Sequence, residues 1–146
     1  MNFQIGDVGH IIQLAIAPVF LLTGVGTLLG VLTNRLARII DRSRVLEDRM
    51  RGAEEHPEAL AELQVLFQRA HLINRAITLS TSCGLFICVV IAMLFIGGTL
   101  RISLANGIAL MFVLAMLSLI GSFVFLLREI FVATRNLWIR GLPPRK

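Results

Sequence analysis

The chain has 146 residues, which is enough for one domain; 56% of them are hydrophobic, only 16% are charged, and the mean hydropathy is +0.82. This composition excludes an ordinary soluble globular protein. The net charge of +5 does not predict a nucleic-acid partner, because seven acids offset the eight arginines of the central segment. We therefore expect a membrane protein.

Three stretches of the chain contain no Asp, Glu, Lys or Arg, and each exceeds the roughly 20 residues that a helix needs to cross a bilayer. They are residues 8–34, 76–100 and 102–127. The sequence predicts an all-α membrane protein with a single membrane domain over residues 1–146. Its transmembrane spans are placed at about 10–33, 77–98 and 107–127. We expect the first span to persist, because a cleavable signal peptide would have a preceding basic residue and a shorter apolar run.

Helical periodicity continues beyond the first span, so residues 34–76 are predicted to form an antiparallel helical hairpin. Apolar residues recur at spacings of three and four on both sides of the tract from Gly52 to Pro57, which favours a turn. The two arms would extend spans one and two. Arginines cluster in this hairpin and after span three, so the positive-inside rule places the hairpin and the C-terminus in the cytoplasm and the N-terminus outside.

The residues after the third span mix arginines with apolar side chains. Residues 128–146 are predicted to form an amphipathic tail, whose helical part lies near the lipid headgroups. Trp138 would anchor this tail at the membrane interface.

No combination of residues in the sequence is typical of an enzyme active site. His10, His56 and His71 are scattered, and neither metal-ligand spacing nor a phosphate-binding glycine loop is present. Cys83 and Cys88 lie within the second span and are interpreted as apolar packing residues. We expect no catalytic residues, no metal site and no cofactor.

One face of the first helix carries small and polar residues at spacings of three, four or seven, and we call it the polar stripe. Its members are Gln13, Ala17, Gly24, Thr27, Val31, Asn34, Arg38 and Arg42. The stripe could line a water-filled path in a homo-oligomer, where rings of arginine would favour anions. Alternatively, this small surface, together with Gly26 and Gly30, lets helices approach closely in lipid.

Charged residues near the inner end of the spans form a second candidate site. In an antiparallel hairpin, Asp41 lies close to the level of Arg69, and Arg35 lies close to the level of Arg75. A salt bridge from Asp41 to Arg69 or Arg38 would fix the register of the arms. An anionic lipid headgroup could relieve the repulsion between Arg35 and Arg75.

Three runs of sequence are distinctive: IQLAIAPVFLL from Ile12, LTNRLARIIDR from Leu32 and LINRAITLST from Leu72. With the glycines at 24–30 between the first two, they resemble the bacterial membrane protein family called domain of unknown function 2721. The resemblance covers roughly residues 11–137. It implies a bacterial cell membrane and carries no activity.

The sequence thus predicts a small homo-oligomeric protein of the bacterial inner membrane, channel-like, with the first span nearest the central path. The alternative is a non-conducting scaffold or assembly factor that docks a partner through the cytoplasmic hairpin. The expected partners are membrane lipids, anionic on the cytoplasmic side, and further copies of the chain. The subunit number and any small-molecule ligand do not follow from the sequence.

Overall fold

The computed structural model describes residues 5–50, 57–100 and 104–139. They form three α-helices: α1 is Ile5–Met50, α2 is Pro57–Leu100 and α3 is Ala105–Ile139. The predicted all-α class is confirmed, and each helix contains a stretch long and apolar enough to cross a membrane. The chain is therefore a multi-pass membrane protein.

Local sequence explains the extent of the helices. No Gly or Pro interrupts residues 34–50, and α1 continues without a break to Met50. Pro57 is the first residue of α2, where proline's missing N–H has no helical partner to lose. Helix α3 runs to Ile139, well past the predicted end of the third span. Residues 128–139, which belong to the predicted amphipathic tail, are continuous with the third helix.

Each helix has a line of buried residues that are seven positions apart. The lines are Pro18, Val25, Leu32, Ile39 and Leu46 in α1; Leu66, Ile73, Ser80 and Ile87 in α2; and Ala115, Ser122 and Glu129 in α3. A seven-residue spacing keeps successive side chains on one side of a helix. Most of the remaining surface of each helix is thus available for contact with lipid or with another chain.

The chain divides into two compact units, each built from a segment of every helix. The described residues of the first unit are 5–29, 79–100 and 104–121. Its core is the buried cluster Val25, Cys83, Ile87 and Ala115, surrounded by partly buried leucine, isoleucine and phenylalanine side chains. Helices α2 and α3 approach closely at Gly121. A methyl group added to this glycine would lie only 3.0 Å from Cδ1 of Leu79.

The described residues of the second unit are 30–50, 57–78 and 122–139. Its core contains polar as well as apolar groups. Leu32, Ile73 and Ala76 are fully buried, and the buried hydroxyl of Ser122 donates a 2.8 Å hydrogen bond to the carbonyl oxygen of Ala76. Among the residues of α3 whose exposure is described, the last buried one is Glu129.

Large apolar side chains are exposed on all three helices, among them Phe20, Leu85 and Leu117. Only 11% to 22% of the residues in the apolar windows are buried. In water, apolar surface on this scale would drive association. In a bilayer it is the expected lipid-facing surface, which agrees with a membrane-spanning chain.

The buried line of α1 can be tested with two adjacent substitutions. Leu32 is 0% exposed and Val31 is 46% exposed. We expect Leu32→Ala to lower the free energy of unfolding by about 2–5 kcal/mol, because it leaves a cavity, and Val31→Ala to lower it far less. The measurement is a denaturing-detergent titration of the protein in mild micelles. Equal losses for the two variants would show that the line at Leu32 is not the packed face.

Candidate functional site

A fully buried carboxylate on α3 joins two arginines from the other helices of the second unit. Glu129 is 0% exposed, and both of its oxygens accept hydrogen bonds. Oε2 accepts from Nη1 of Arg35 at 2.7 Å. Oε1 accepts from Nε and Nη2 of Arg69 at 3.0 Å and 2.8 Å. A buried charge is stable only when it is paired and hydrogen-bonded in this way.

The spacing of residues along each helix places these three side chains. Glu129 follows Ser122 by seven residues and is therefore the next member of the buried line of α3. Arg35 and Arg69 each come three residues after a buried leucine, so they start at the flank of a packed face. Their long side chains can then reach inward while the stems pack along the helix.

Next to Glu129 lies a cleft of about 420 Å³ formed by all three helices of this unit. Its charged wall consists of four arginines: Arg35, Arg38, Arg42 and Arg69. Its apolar wall consists of Ile39, Leu66, Ile130 and Ala133, and Thr134 completes the lining. We call this space the arginine cleft.

The arginine cleft carries an excess of positive charge. Arg42 donates from Nε and Nη2 to Oε1 of Glu62 at 3.0 Å and 2.9 Å, in a pair that is partly exposed. Arg38 is exposed and has no hydrogen bond or ion pair within the described part of the chain. Within the described residues, two carboxylates therefore pair with three of the four guanidinium groups that line the cleft. The arrangement suits the binding of an anion.

All eight residues of the polar stripe are exposed in the single chain. The hydroxyl of Thr27 donates to the carbonyl oxygen of Thr23 at 3.1 Å, so its hydrogen is used within α1. A Cβ added to Gly24, Gly26 or Gly30 would meet no atom within 4 Å. The small surface of α1 is thus not used for close packing in the described parts of this chain. Of the stripe, Arg38 and Arg42 line the arginine cleft.

The salt bridge predicted from Asp41 to Arg69 or Arg38 does not form. Arg69, predicted to pair with Asp41, binds Glu129 instead, and Asp41 is exposed without an ion pair to any residue that the structure describes. The guanidinium carbon of Arg75 lies 6.0 Å from the centre of the Phe125 ring, at the outer limit of a cation–π contact. The prediction differs from the structure because it considered two helices only. The third helix, α3, supplies Glu129 to Arg69 and Phe125 to Arg75.

Sequence reasoning missed Glu129 because residues from 128 onward were interpreted as an interfacial tail. Two signals could have found it. It is the only acidic residue after Glu62. It also lies seven residues after Ser122 and fourteen after Ala115, a spacing that keeps all three on one side of a helix.

The described residues contain no group of three or more His, Cys, Asp or Glu side chains that could hold a metal ion. Cys83 is buried and Cys88 is exposed, and both are free thiols. The charged side chains that line the arginine cleft are guanidinium groups.

The importance of the buried carboxylate can be tested by comparing two acids of the same unit. Glu129→Gln leaves two guanidinium groups facing a neutral amide whose NH2 group also donates, and we expect a loss of about 3 kcal/mol in the free energy of unfolding. Glu62→Gln breaks a partly exposed pair and should cost under about 1 kcal/mol. Unfolding in mild detergent micelles measures both, and equal losses would contradict the assigned role of Glu129.

Comparison with known proteins gives a family and no activity. No curated protein matches the chain, and no solved structure matches it. The family described as "Protein of unknown function (DUF2721)" matches residues 15–139, which include most of the described helices and the arginine cleft. The chain belongs to this family, as the resemblance in its sequence indicated.

Proposed function

We propose that this protein is a small homo-oligomeric protein of the bacterial inner membrane, in which α1 lines a central, channel-like path. The observation that carries the proposal is the exposure of the whole polar stripe in the single chain. The buried line of α1 consists of other residues, so the stripe adds no buried side chain to the core, although Arg38 and Arg42 at its end line the arginine cleft.

Exposure of such a surface to lipid would be unfavourable. The amide of Gln13 would lie in a medium that cannot hydrogen-bond with it. A Cβ added to Gly24 would meet no atom within 4 Å, so another helix can pack closely on the stripe at this position, and small residues of this kind are typical of contacts between membrane helices. A second copy of the chain along α1 would cover Gly24 and give Gln13 a polar environment.

The residues of the stripe also suit a hydrated path. Gln13, Thr27 and Asn34 present polar atoms at successive levels of one helix. Arg38 and Arg42 follow them, and positive charge at one mouth would favour anions. The clustering of arginines in residues 35–75 and after 128 supports a cytoplasmic location for this mouth and an external N-terminus.

One observation favours the alternative, a non-conducting scaffold. Leu60 and Phe67 are exposed and lie seven residues apart on α2, in the segment that would project into the cytoplasm as a helical hairpin. Exposed apolar side chains outside a membrane are typical of a protein contact surface. Such a surface would dock a partner protein without any conducting path.

Self-association along α1 can be tested by disulfide cross-linking in native membranes. The variants are Gly24→Cys and Val19→Cys in a background of Cys83→Ala and Cys88→Ala. The two positions are both exposed and lie five residues apart, about 140° around the helix. We expect a cross-linked dimer for Gly24→Cys and little for Val19→Cys. If neither variant gives a cross-linked dimer and native mass spectrometry shows a monomer, the prediction of a homo-oligomer is wrong.

Conduction is tested separately by ion flux into liposomes that contain the purified protein. We expect chloride flux above that of empty liposomes, and a loss of about tenfold for Thr27→Phe, because the aromatic ring would narrow the path. Val19→Phe is the matched control and should conduct normally. If wild-type protein gives no flux in several salts and at several voltages while the oligomer persists, the channel is excluded and the scaffold remains.

A further inference from the structure

We propose that the arginine cleft is a binding site for a phosphate-bearing anion, held chiefly by Arg38 and Arg42 with Arg69 beside them. The site lies within one unit of a single chain, so it depends neither on self-association nor on conduction. It also differs from the sequence prediction of an anion between Arg35 and Arg75, because Arg75 does not line the cleft.

The cleft has unused hydrogen-bond donors. Each guanidinium group carries five N–H bonds. Arg42 uses Nε and Nη2 on Glu62, and Arg69 uses Nε and Nη2 on Glu129, so Nη1 of each makes no hydrogen bond within the described residues. Arg38 uses none of its donors there. These donors come from two helices and line one space.

The two carboxylates affect both the geometry and the net charge of the arginine cleft. Glu62 and Glu129 hold Arg42 and Arg69 in fixed positions, so less conformational freedom is lost when an anion binds. They also cancel half of the positive charge. The remaining two positive charges of the lining are enough to balance a phosphodiester, which carries one negative charge, or a phosphate monoester, which carries close to two. Guanidinium groups bind phosphate oxygens in pairs of parallel hydrogen bonds.

The size and the apolar wall indicate more than a bare ion. A volume of about 420 Å³ falls in the range of about 300–1,000 Å³ that is typical of small-molecule sites. Ile39, Leu66, Ile130 and Ala133 would contact an apolar part of the ligand. Thr134 adds no donor, because its hydroxyl donates to the carbonyl oxygens of Ile130 and Phe131.

This combination fits a phosphate attached to an organic group. Two sources supply that chemistry: the headgroup of an anionic phospholipid with its glycerol, or a phosphate compound in solution. Either source would place its phosphate on the arginines. Arg38 and Arg42 are exposed, so a ligand can reach them from outside the protein.

The test uses purified full-length protein in a mild neutral detergent. Binding of phosphatidylglycerol is measured by native mass spectrometry, with phosphatidylcholine as the neutral lipid. Arg38→Gln removes the arginine without a partner, and Arg44→Gln is the matched control, an exposed arginine of the same helix that does not line the cleft. We expect Arg38→Gln to weaken phosphatidylglycerol binding about tenfold, the effect of losing one charge-assisted contact, and Arg44→Gln to change it less than twofold.

The source of the phosphate is distinguished in a second arm without lipid. Inorganic phosphate is added at constant ionic strength, with chloride as the comparison, and the thermal unfolding midpoint is recorded. A rise with phosphate that Arg38→Gln abolishes supports a soluble ligand. Binding of phosphatidylglycerol with no response to phosphate supports a lipid headgroup.

Arg38→Lys separates charge from structure. It keeps a positive charge, so binding should be intermediate between wild type and Arg38→Gln while all variants retain the wild-type unfolding midpoint. The proposal is overturned if neither probe binds, or if Arg38→Gln and Arg44→Gln weaken binding equally. Neither result would affect the cross-linking and flux experiments.

Discussion

The second unit of the structure depends on one buried carboxylate. Glu129 is fully enclosed, and removing an ionised carboxylate from water costs several kcal/mol even after the protein relaxes. Arg35 and Arg69 offset that cost only when both reach its oxygens. One residue from each helix is therefore required in a single place. A shift of any helix by one turn would leave a buried charge without its partner, so this contact favours one register over its neighbours.

The two units achieve their packing by different chemistry. The first has an apolar core of Val25, Cys83, Ile87 and Ala115, and its interactions are mostly non-directional. Apolar contacts of this kind tolerate exchange among side chains of similar volume. The second adds a carboxylate between two arginines and a hydroxyl bonded to a backbone carbonyl. Directional interactions of this kind are less tolerant of substitution, and they leave charged groups at the edge of the core.

The three helices could be predicted because their signals are local. Long uncharged stretches indicate spans, and Gly52 and Pro57 in the sequence predict a break between the first two helices, the second of which begins at Pro57. The polar stripe was likewise visible as a spacing. The site around Glu129 was not, because it joins residues 34, 60 and 94 positions apart. Sequence spacing shows which residues share a face of one helix. It does not show which acid faces which arginine across three helices, and it led to Asp41 as the predicted partner of Arg69 instead of Glu129.

The seven-residue spacing of the buried lines has a consequence for the evolution of length in this protein. Inserting or deleting one residue between Pro18 and Leu32 would rotate the rest of α1 by about 100° relative to the part before it. Leu32 and Ile39 would then leave the packed side, and Arg35 would point away from Glu129. A change of seven residues nearly restores the phase of the helix, but it would displace Arg35 by about 10 Å along the axis. Change within these helices should therefore occur by substitution, with differences in length confined to the segments between them.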